Sequence, residues 1–158
     1  MSELSAHVAL LAPVPLEHLL SGRETCDKQG KVAFGSRAFD ALHKLTELAD
    51  GASCDVVIYA SDAHLPGPPK ATWRARFVRW VEAKAGGHPE EMKYRPPTTA
   101  QYQGDNHGHW FVFWEVSDLR ELPSAQHILI SNLKAVGKKS KLAKNFIPLG
   151  PVVVEAAD

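Results

Sequence analysis

The sequence contains little cysteine, no excess of charge of either sign and no long hydrophobic run. Cys26 and Cys54 are the two cysteines among 158 residues, which is too few for a disulfide framework. Eighteen Lys and Arg residues balance eighteen Asp and Glu residues, which excludes a polycation that coats nucleic acid or an anionic membrane. The longest apolar run, residues 8–16, is shorter than the roughly 20 residues of a membrane span and contains two prolines.

Further absences concern sorting signals and cofactors. No Lys or Arg precedes Arg23, so the basic start of a secretory signal is missing and we expect a cytoplasmic protein. Phosphate-binding glycine loops, dinucleotide fingerprints and common hydrolase motifs are absent, so we expect no cofactor. His107 and His109 are spaced as a pair on a strand edge, but the sequence offers no further ligands at metal-site spacing, so we expect no metal.

Local patterns predict one α+β domain, residues 1–158, with strands and helices in irregular order. A short helix, 16–21, follows Pro15, and a second helix begins at Ser36, carries an apolar stripe and stops at Asp50. The expected strands are 7–12, 54–60, 71–83, 109–119 and 152–154, of which 109–119 should be central. The polar stretch 22–35 is predicted to be a loop containing at most a short strand, and 86–108 a long irregular lid.

Basic residues cluster in two stretches that contain no acid. The first contains Lys70, Arg74, Arg76 and Arg79, interleaved with Trp73, Phe77 and Trp80, and the second contains Lys134, Lys138, Lys139, Lys141 and Lys144. Cations beside aromatic rings are the combination that neutralises phosphates and stacks on bases. The alternative is a half-solvated strand followed by a solvated loop, which the pattern fits as well.

Five segments form a recognisable series along most of the chain. Residues 34–39 read FGSRAF, 56–61 read VVIYAS, 71–83 form a long aromatic strand, 110–123 read WFVFWEVSDLRELP, and 145–150 read NFIPLG. In this order they resemble the PUA-like superfamily, most closely its EVE and YTH domains and next its ASCH domains.

The resemblance implies a curved or closed β-barrel of five to six strands with helices packed on the outside. It also implies a nucleic-acid-binding module whose aromatic pocket takes a flipped base, often a modified one, from DNA or RNA. The residues expected at the base pocket are Ser36, Arg37, Tyr59, Ser61, Trp73 and Trp110. The residues expected at the phosphates are Arg74, Arg76, Lys138, Lys139, Lys141 and Lys144.

Three alternatives stay open from the sequence. The three rings Tyr59, Trp73 and Trp110 are also what an ordinary apolar core contains. The ASCH resemblance offers a hydrolase of modified nucleosides, with Thr25 as nucleophile and Lys28 as activating amine. A third possibility is a passive module whose segment 94–107 contacts another protein. The oligomeric state and the choice between DNA and RNA are not determined.

Overall fold

A computed structural model describes residues 5–102 and 104–156. Within these residues the chain forms two α-helices, α1 (Leu16–Gln29) and α2 (Phe39–Ala49). The strands are β1 (Ser5–Val14), β2 (Val32–Ser36), β3 (Ser53–Ala60), β4 (Lys70–Ala71), β5 (Trp73–Glu82), β6 (Val112–Glu121), β7 (Ile128–Leu129) and β8 (Val152–Glu155). No helix in the described ranges is both long enough and apolar enough to span a bilayer.

Six of the strands form one mixed sheet in the order β2-β6-β5-β3-β1-β8. Strands β1 and β3 pair in parallel, and every other neighbouring pair in this sheet is antiparallel. Strands β4 and β7 form a separate two-stranded ribbon. The predicted α+β class is therefore observed, and β6 lies one position in from the edge rather than at the centre.

The expectation of a closed barrel is wrong, because both outer edges of the sheet are occupied by irregular chain. On β2, the Ala33 N–H donates to the Tyr94 carbonyl and the Ala33 carbonyl accepts from Arg95 Nη1. On β8, the Val153 carbonyl and the Glu155 N–H bond to residues of the segment 134–136. With these main-chain groups already satisfied, β2 and β8 have no reason to pair with each other.

Apolar side chains are buried on both faces of the sheet. On the first face, Leu10 and Ile58 pack with α1 and α2 in the larger core cluster. On the second face, Leu11 and Val57 pack with the β4–β7 ribbon and with the segment 130–146. Because side chains alternate along a strand, each sheet residue can be assigned to the helix face or the ribbon face.

The first helix is longer than predicted, and part of the predicted loop is regular. The glycine at position 22 suggested a stop, yet α1 continues to Gln29 and ends at Gly30 in the left-handed conformation. Gly22 lies against the ring of Phe34, and a Cβ there would lie 3.2 Å from that ring. The close packing of α1 against β2 therefore explains why a residue without a side chain occupies position 22. The second helix begins later than expected, at Phe39, and Ser36 ends β2.

Glu115, whose side chain is fully buried on β6, forms the centre of an ionic network. Its carboxylate accepts from Lys31 Nζ at 2.8 Å, Arg79 Nε at 2.8 Å and His88 Nε2 at 2.7 Å. Burial alone would raise the pKa of Glu115, but the hydrogen bonds from His88, Arg79 and Lys31 outweigh it and lower the pKa to about 2. The network ties the start of β2 and strand β5 to the segment that follows His88.

We predict that Glu115→Gln lowers the free energy of unfolding by about 3–5 kcal/mol at pH 7, because three buried or half-buried donors lose their anion. The lowered pKa contributes stability above pH 4.5 that is lost as pH falls from 4.5 towards 2, about 3 kcal/mol in total. The variant should therefore lose less stability than wild type over that range. Urea denaturation at pH 7 and pH 3 tests both statements.

The control for this substitution is Glu121→Gln, which removes an exposed carboxylate from the same strand. Its effect should remain within about 0.5 kcal/mol. Equal effects of the two substitutions would contradict the role given to Glu115.

Candidate functional site

A cavity of about 520 Å³ opens where β1 leads into α1. We call it the Trp110 cavity. Its wall comes from the end of β1, the first turn of α1, strands β2 and β6, and the segment between β5 and β6. The lining residues are Pro13, Val14, Pro15, Glu17, His18, Phe34, Gly35, Asp62, Arg95, Thr99, Tyr102, Asp105, His109, Trp110 and Trp114. Its volume lies in the range of small-molecule sites.

Aromatic rings form much of this wall. Phe34 and Trp114 come from paired strands, and their ring centroids lie 4.9 Å apart at an angle of 40°. Both side chains are anchored in the helix-face core. Two further lining rings, Tyr102 and His18, meet edge to face at 5.5 Å. The cavity therefore has ring surface from several segments of the chain.

The ring of Trp110 lies directly over the main chain of Gly35. A Cβ at position 35 would lie less than 3.0 Å from Cγ, Cδ1 and Nε1 of that ring. The indole Nε1 donates to Asp105 Oδ1 at 2.9 Å. Only glycine allows this approach, and the hydrogen bond sets the orientation of the ring.

A second space of about 420 Å³, the Arg37 cavity, shares Pro13, Gly35, Trp110 and Trp114 with the first. Its other lining residues include Ser36, Arg37 and Leu149. Arg37 donates from Nε to the His109 carbonyl at 2.9 Å, and its Nη2 lies 3.4 Å from His109 Nδ1. Among the described residues, Nη1 of Arg37 has no hydrogen-bond partner.

The segment between β5 and β6 is held in place by a buried arginine. Arg95 is 2% exposed and donates to the Ala33 carbonyl at 2.8 Å, to Asn106 Oδ1 at 2.9 Å and to Asp105. Burial lowers the pKa of Arg95 to about 10, and Asp105 opposes that shift. The side chain stays cationic at neutral pH, so Asp105 is balanced by a charge inside the wall.

Two carboxylates remain at the mouth of the cavity. Glu17, in the first turn of α1, accepts from the Tyr102 hydroxyl. Asp62 accepts the Leu16 N–H at 2.7 Å through Oδ1 and thereby holds the start of α1. Between them, His18 bonds through Nδ1 to Thr98 Oγ1 at 2.7 Å. Burial is the main cause of the lowered pKa of His18, because it disfavours the charged ring.

Of the residues predicted for the base pocket, the structure brings three together. Trp110 walls both cavities, and Ser36 and Arg37 line the Arg37 cavity. Ser36 is 5% exposed, and its hydroxyl accepts the Ala38 N–H at 2.9 Å. Its side chain thus orders the turn before α2.

The other three predicted pocket residues lie elsewhere. Trp73 is fully buried in the helix-face core, with the Arg23 guanidinium 5.3 Å from its ring centroid. Tyr59 packs on the ribbon face and, with Lys70, lines a separate space of about 330 Å³, the Tyr59 cavity. Ser61 is exposed beyond the end of β3. These side chains do not line the Trp110 cavity.

The predicted phosphate-binding residues divide into two groups. Arg74 and Arg76 both bind the carboxylate of Asp55, whose pKa is lowered by these hydrogen bonds despite its burial. They alternate with the core residues Trp73 and Ala75 and so lie on the ribbon face. The second group consists of exposed side chains that form no ion pair with any described residue: Lys138, Lys139, Lys141 and Lys144.

The lysine-bearing segment, residues 138–144, lies between Leu133 and Phe146, which pack on the ribbon face. On either side of Phe146, Asn145 and Ile147 line the Tyr59 cavity, and the chain then reaches the Arg37 cavity at Leu149. A single stretch of chain therefore connects the lysines with the Arg37 cavity.

Sequence reasoning missed several residues of the site. Phe34 and Trp114 belong to motifs that were identified, and the alternation of Trp110, Val112 and Trp114 along one strand face was a usable signal. No local sequence pattern identifies His18, Tyr102 or Asp105 as site residues, because the segment of His18 and the segment of Tyr102 and Asp105 lie far apart in the chain.

The residues considered for a hydrolase are not arranged as a nucleophile and its activating base. Thr25 is buried in α1 and lies within hydrogen-bond distance of the carbonyls of Ser21 and Arg95. Lys28 is exposed in the last turn of the same helix.

A metal fits poorly at the group of potential ligands that the described residues contain, namely His88, Glu90 and Glu115. His88 Nδ1 accepts the Glu90 N–H at 3.0 Å, its Nε2 bonds to Glu115, and two further cationic side chains occupy that carboxylate. These donors are already used, and the nearby positive charge opposes a cation.

Comparison with family models, with curated proteins and with solved structures found no significant match to this chain. The functional argument therefore depends on the geometry of the site.

We predict that Gly35→Ala displaces the Trp110 ring and costs about 1–3 kcal/mol of stability, because the added methyl group has no space. The Trp110 indole resonance in a ¹H–¹⁵N NMR spectrum should shift as its bond to Asp105 is broken. Gly150→Ala is the control, since a Cβ there meets nothing within 4 Å. An unchanged Trp110 resonance in Gly35→Ala would contradict the packing described.

Proposed function

We propose that the protein binds single-stranded nucleic acid by taking one unstacked base into the Trp110 cavity. The observation that carries this proposal is the ring-walled space itself, bounded by Phe34, Trp110 and Trp114. A base removed from its stack loses a few kcal/mol of interaction, which aromatic faces and polar edge contacts offset. The cavity offers both kinds of contact.

The adjoining Arg37 cavity is suited to the sugar and phosphate of the same nucleotide. It shares Gly35 and Trp110 with the Trp110 cavity, and it is lined by Arg37, whose Nη1 has no hydrogen-bond partner among the described residues. A phosphate accepts from such a donor. The Trp110 cavity itself carries the carboxylates of Glu17 and Asp62, which would repel a phosphate.

The exposed lysines offer binding positions for the phosphates of the neighbouring nucleotides of the nucleic-acid strand. Lys138, Lys139, Lys141 and Lys144 lie in a segment that leads to the Arg37 cavity through residues 145–149. Electrostatic contacts with phosphates do not depend on the nucleotide sequence, and they supply much of the affinity of nucleic-acid-binding proteins. In this proposal Arg74 and Arg76 serve the fold through Asp55, and the lysines bind phosphates.

We predict that Trp110→Ala weakens binding of a fluorescein-labelled single-stranded oligonucleotide by about 1–3 kcal/mol, the contribution of stacking on one base. Fluorescence anisotropy titration with DNA and RNA of the same sequence measures the loss. Trp80→Ala is the matched control, because Trp80 packs against Phe39 and donates to Thr46 on the outside of α2, away from the cavity.

Both tryptophan variants are first compared with wild type by thermal denaturation, so that affinity is measured on folded protein. Unchanged affinity of a folded Trp110→Ala variant would refute base capture in this cavity.

We predict that Lys138→Gln with Lys139→Gln reduces the salt dependence of binding. For single strands, the slope of log K against log salt should fall by about 0.7 for each phosphate that the protein no longer neutralises. Lys28→Gln with Lys44→Gln removes the same charge from the two helices and should leave the slope unchanged. Equal slopes for both double variants would refute the proposed path.

A further inference from the structure

The polar groups at the mouth of the Trp110 cavity carry negative charge. Asp105 is balanced by the buried guanidinium of Arg95, whereas among the described residues Glu17 and Asp62 accept hydrogen bonds only from neutral donors, the Tyr102 hydroxyl and the Leu16 N–H. The donors of Arg95 are directed at Ala33, Asn106 and Asp105. A ligand in this cavity therefore meets acceptors and an excess of two negative charges.

His18 adds a polar ring to the cavity wall. Its Nδ1 bonds to Thr98 Oγ1 at 2.7 Å, and the same hydroxyl lies 3.4 Å from the Glu17 carbonyl. The other ring nitrogen is Nε2. It lies 3.9 Å from Glu17 Oε1, beyond hydrogen-bond distance, and has no hydrogen-bond partner among the described residues. The residue is only 8% exposed, so solvent does not easily supply one.

The aromatic wall favours the same kind of ligand. A cation over the face of an indole ring is attracted by the negative potential of that face. Trp110 and Trp114 both line the cavity, together with the carboxylates of Glu17 and Asp62. The Trp110 cavity thus combines aromatic ring faces with acceptor atoms and negative charge.

We infer that the Trp110 cavity selects a positively charged base, such as adenine methylated at N1 or cytosine methylated at N3, over the neutral isomer of the same base. This inference rests on the proposed function. It goes beyond that function by naming the charge of the base, and it assigns the discrimination to the carboxylates of Glu17 and Asp62.

The test compares single-stranded oligonucleotides that differ in one central base. One carries 1-methyladenine, which is protonated and cationic at pH 7, and the other carries N6-methyladenine, its neutral positional isomer with the same heavy atoms. An oligonucleotide with unmodified adenine is the reference. Because the three oligonucleotides have identical phosphates, any difference in their affinities measures the contribution of the central base. We expect about tenfold tighter binding of the cationic base, since two nearby carboxylates act on one charge.

Charge-neutralising variants assign the preference to residues. Glu17→Gln with Asp62→Asn keeps an acceptor oxygen for Tyr102 and for the Leu16 N–H, and it should reduce the preference to less than about threefold. Glu24→Gln, an exposed position on the same helix, is the control and should leave the preference unchanged. Thermal denaturation confirms that each variant folds.

The outcomes separate the two proposals. Equal affinity for the two isomers, tighter binding of the neutral isomer, or a preference that survives in the double variant would overturn the charge selection. Failure of all three oligonucleotides to bind would overturn the proposed function itself.

Discussion

The candidate site depends on one buried guanidinium. Arg95 bonds to the carbonyl of Ala33 on β2 and to the carboxylate of Asp105, and Asp105 in turn holds the indole of Trp110 over Gly35. A buried cation without such partners would cost several kcal/mol, so these contacts are mutually required. Through them, an irregular segment rich in proline and glycine forms one stable wall of a cavity.

The same contacts explain why the sheet stays open. The Tyr94 carbonyl and Arg95 occupy the outer edge of β2, and residues 134–136 occupy the outer edge of β8. Covering the edges with loops protects them from pairing with other chains, as closure would. In this protein it also leaves the end of the sheet accessible, and the Trp110 cavity lies at that end, between β1, β2 and α1.

A net charge of zero conceals a separation of charge on which the proposed function depends. The two unbalanced carboxylates at the cavity, Glu17 and Asp62, are distinct from the lysine segment 138–144. An acidic, ring-lined cavity and a basic path suit the two parts of a nucleotide, a planar base and an anionic phosphate. The arginines Arg74 and Arg76 of β5 are paired with Asp55, so their part in the basic composition is structural.

Local patterns were sufficient for the features that depend on residues close together in the chain. The spacing of Leu42 and Leu45 predicted the buried face of α2, and the apolar run 54–60 predicted β3, because helical and extended periodicities are local properties. Tertiary packing decided the rest. Gly22 lies within α1, where its small size suits the close contact with Phe34, and Trp73 is core because its side of β5 is covered by the helices. Trp110 bonds to Asp105, which also binds the Arg95 side chain that bonds to β2. Contacts between distant segments have no local signature, since they arise from which surfaces the folded chain brings together.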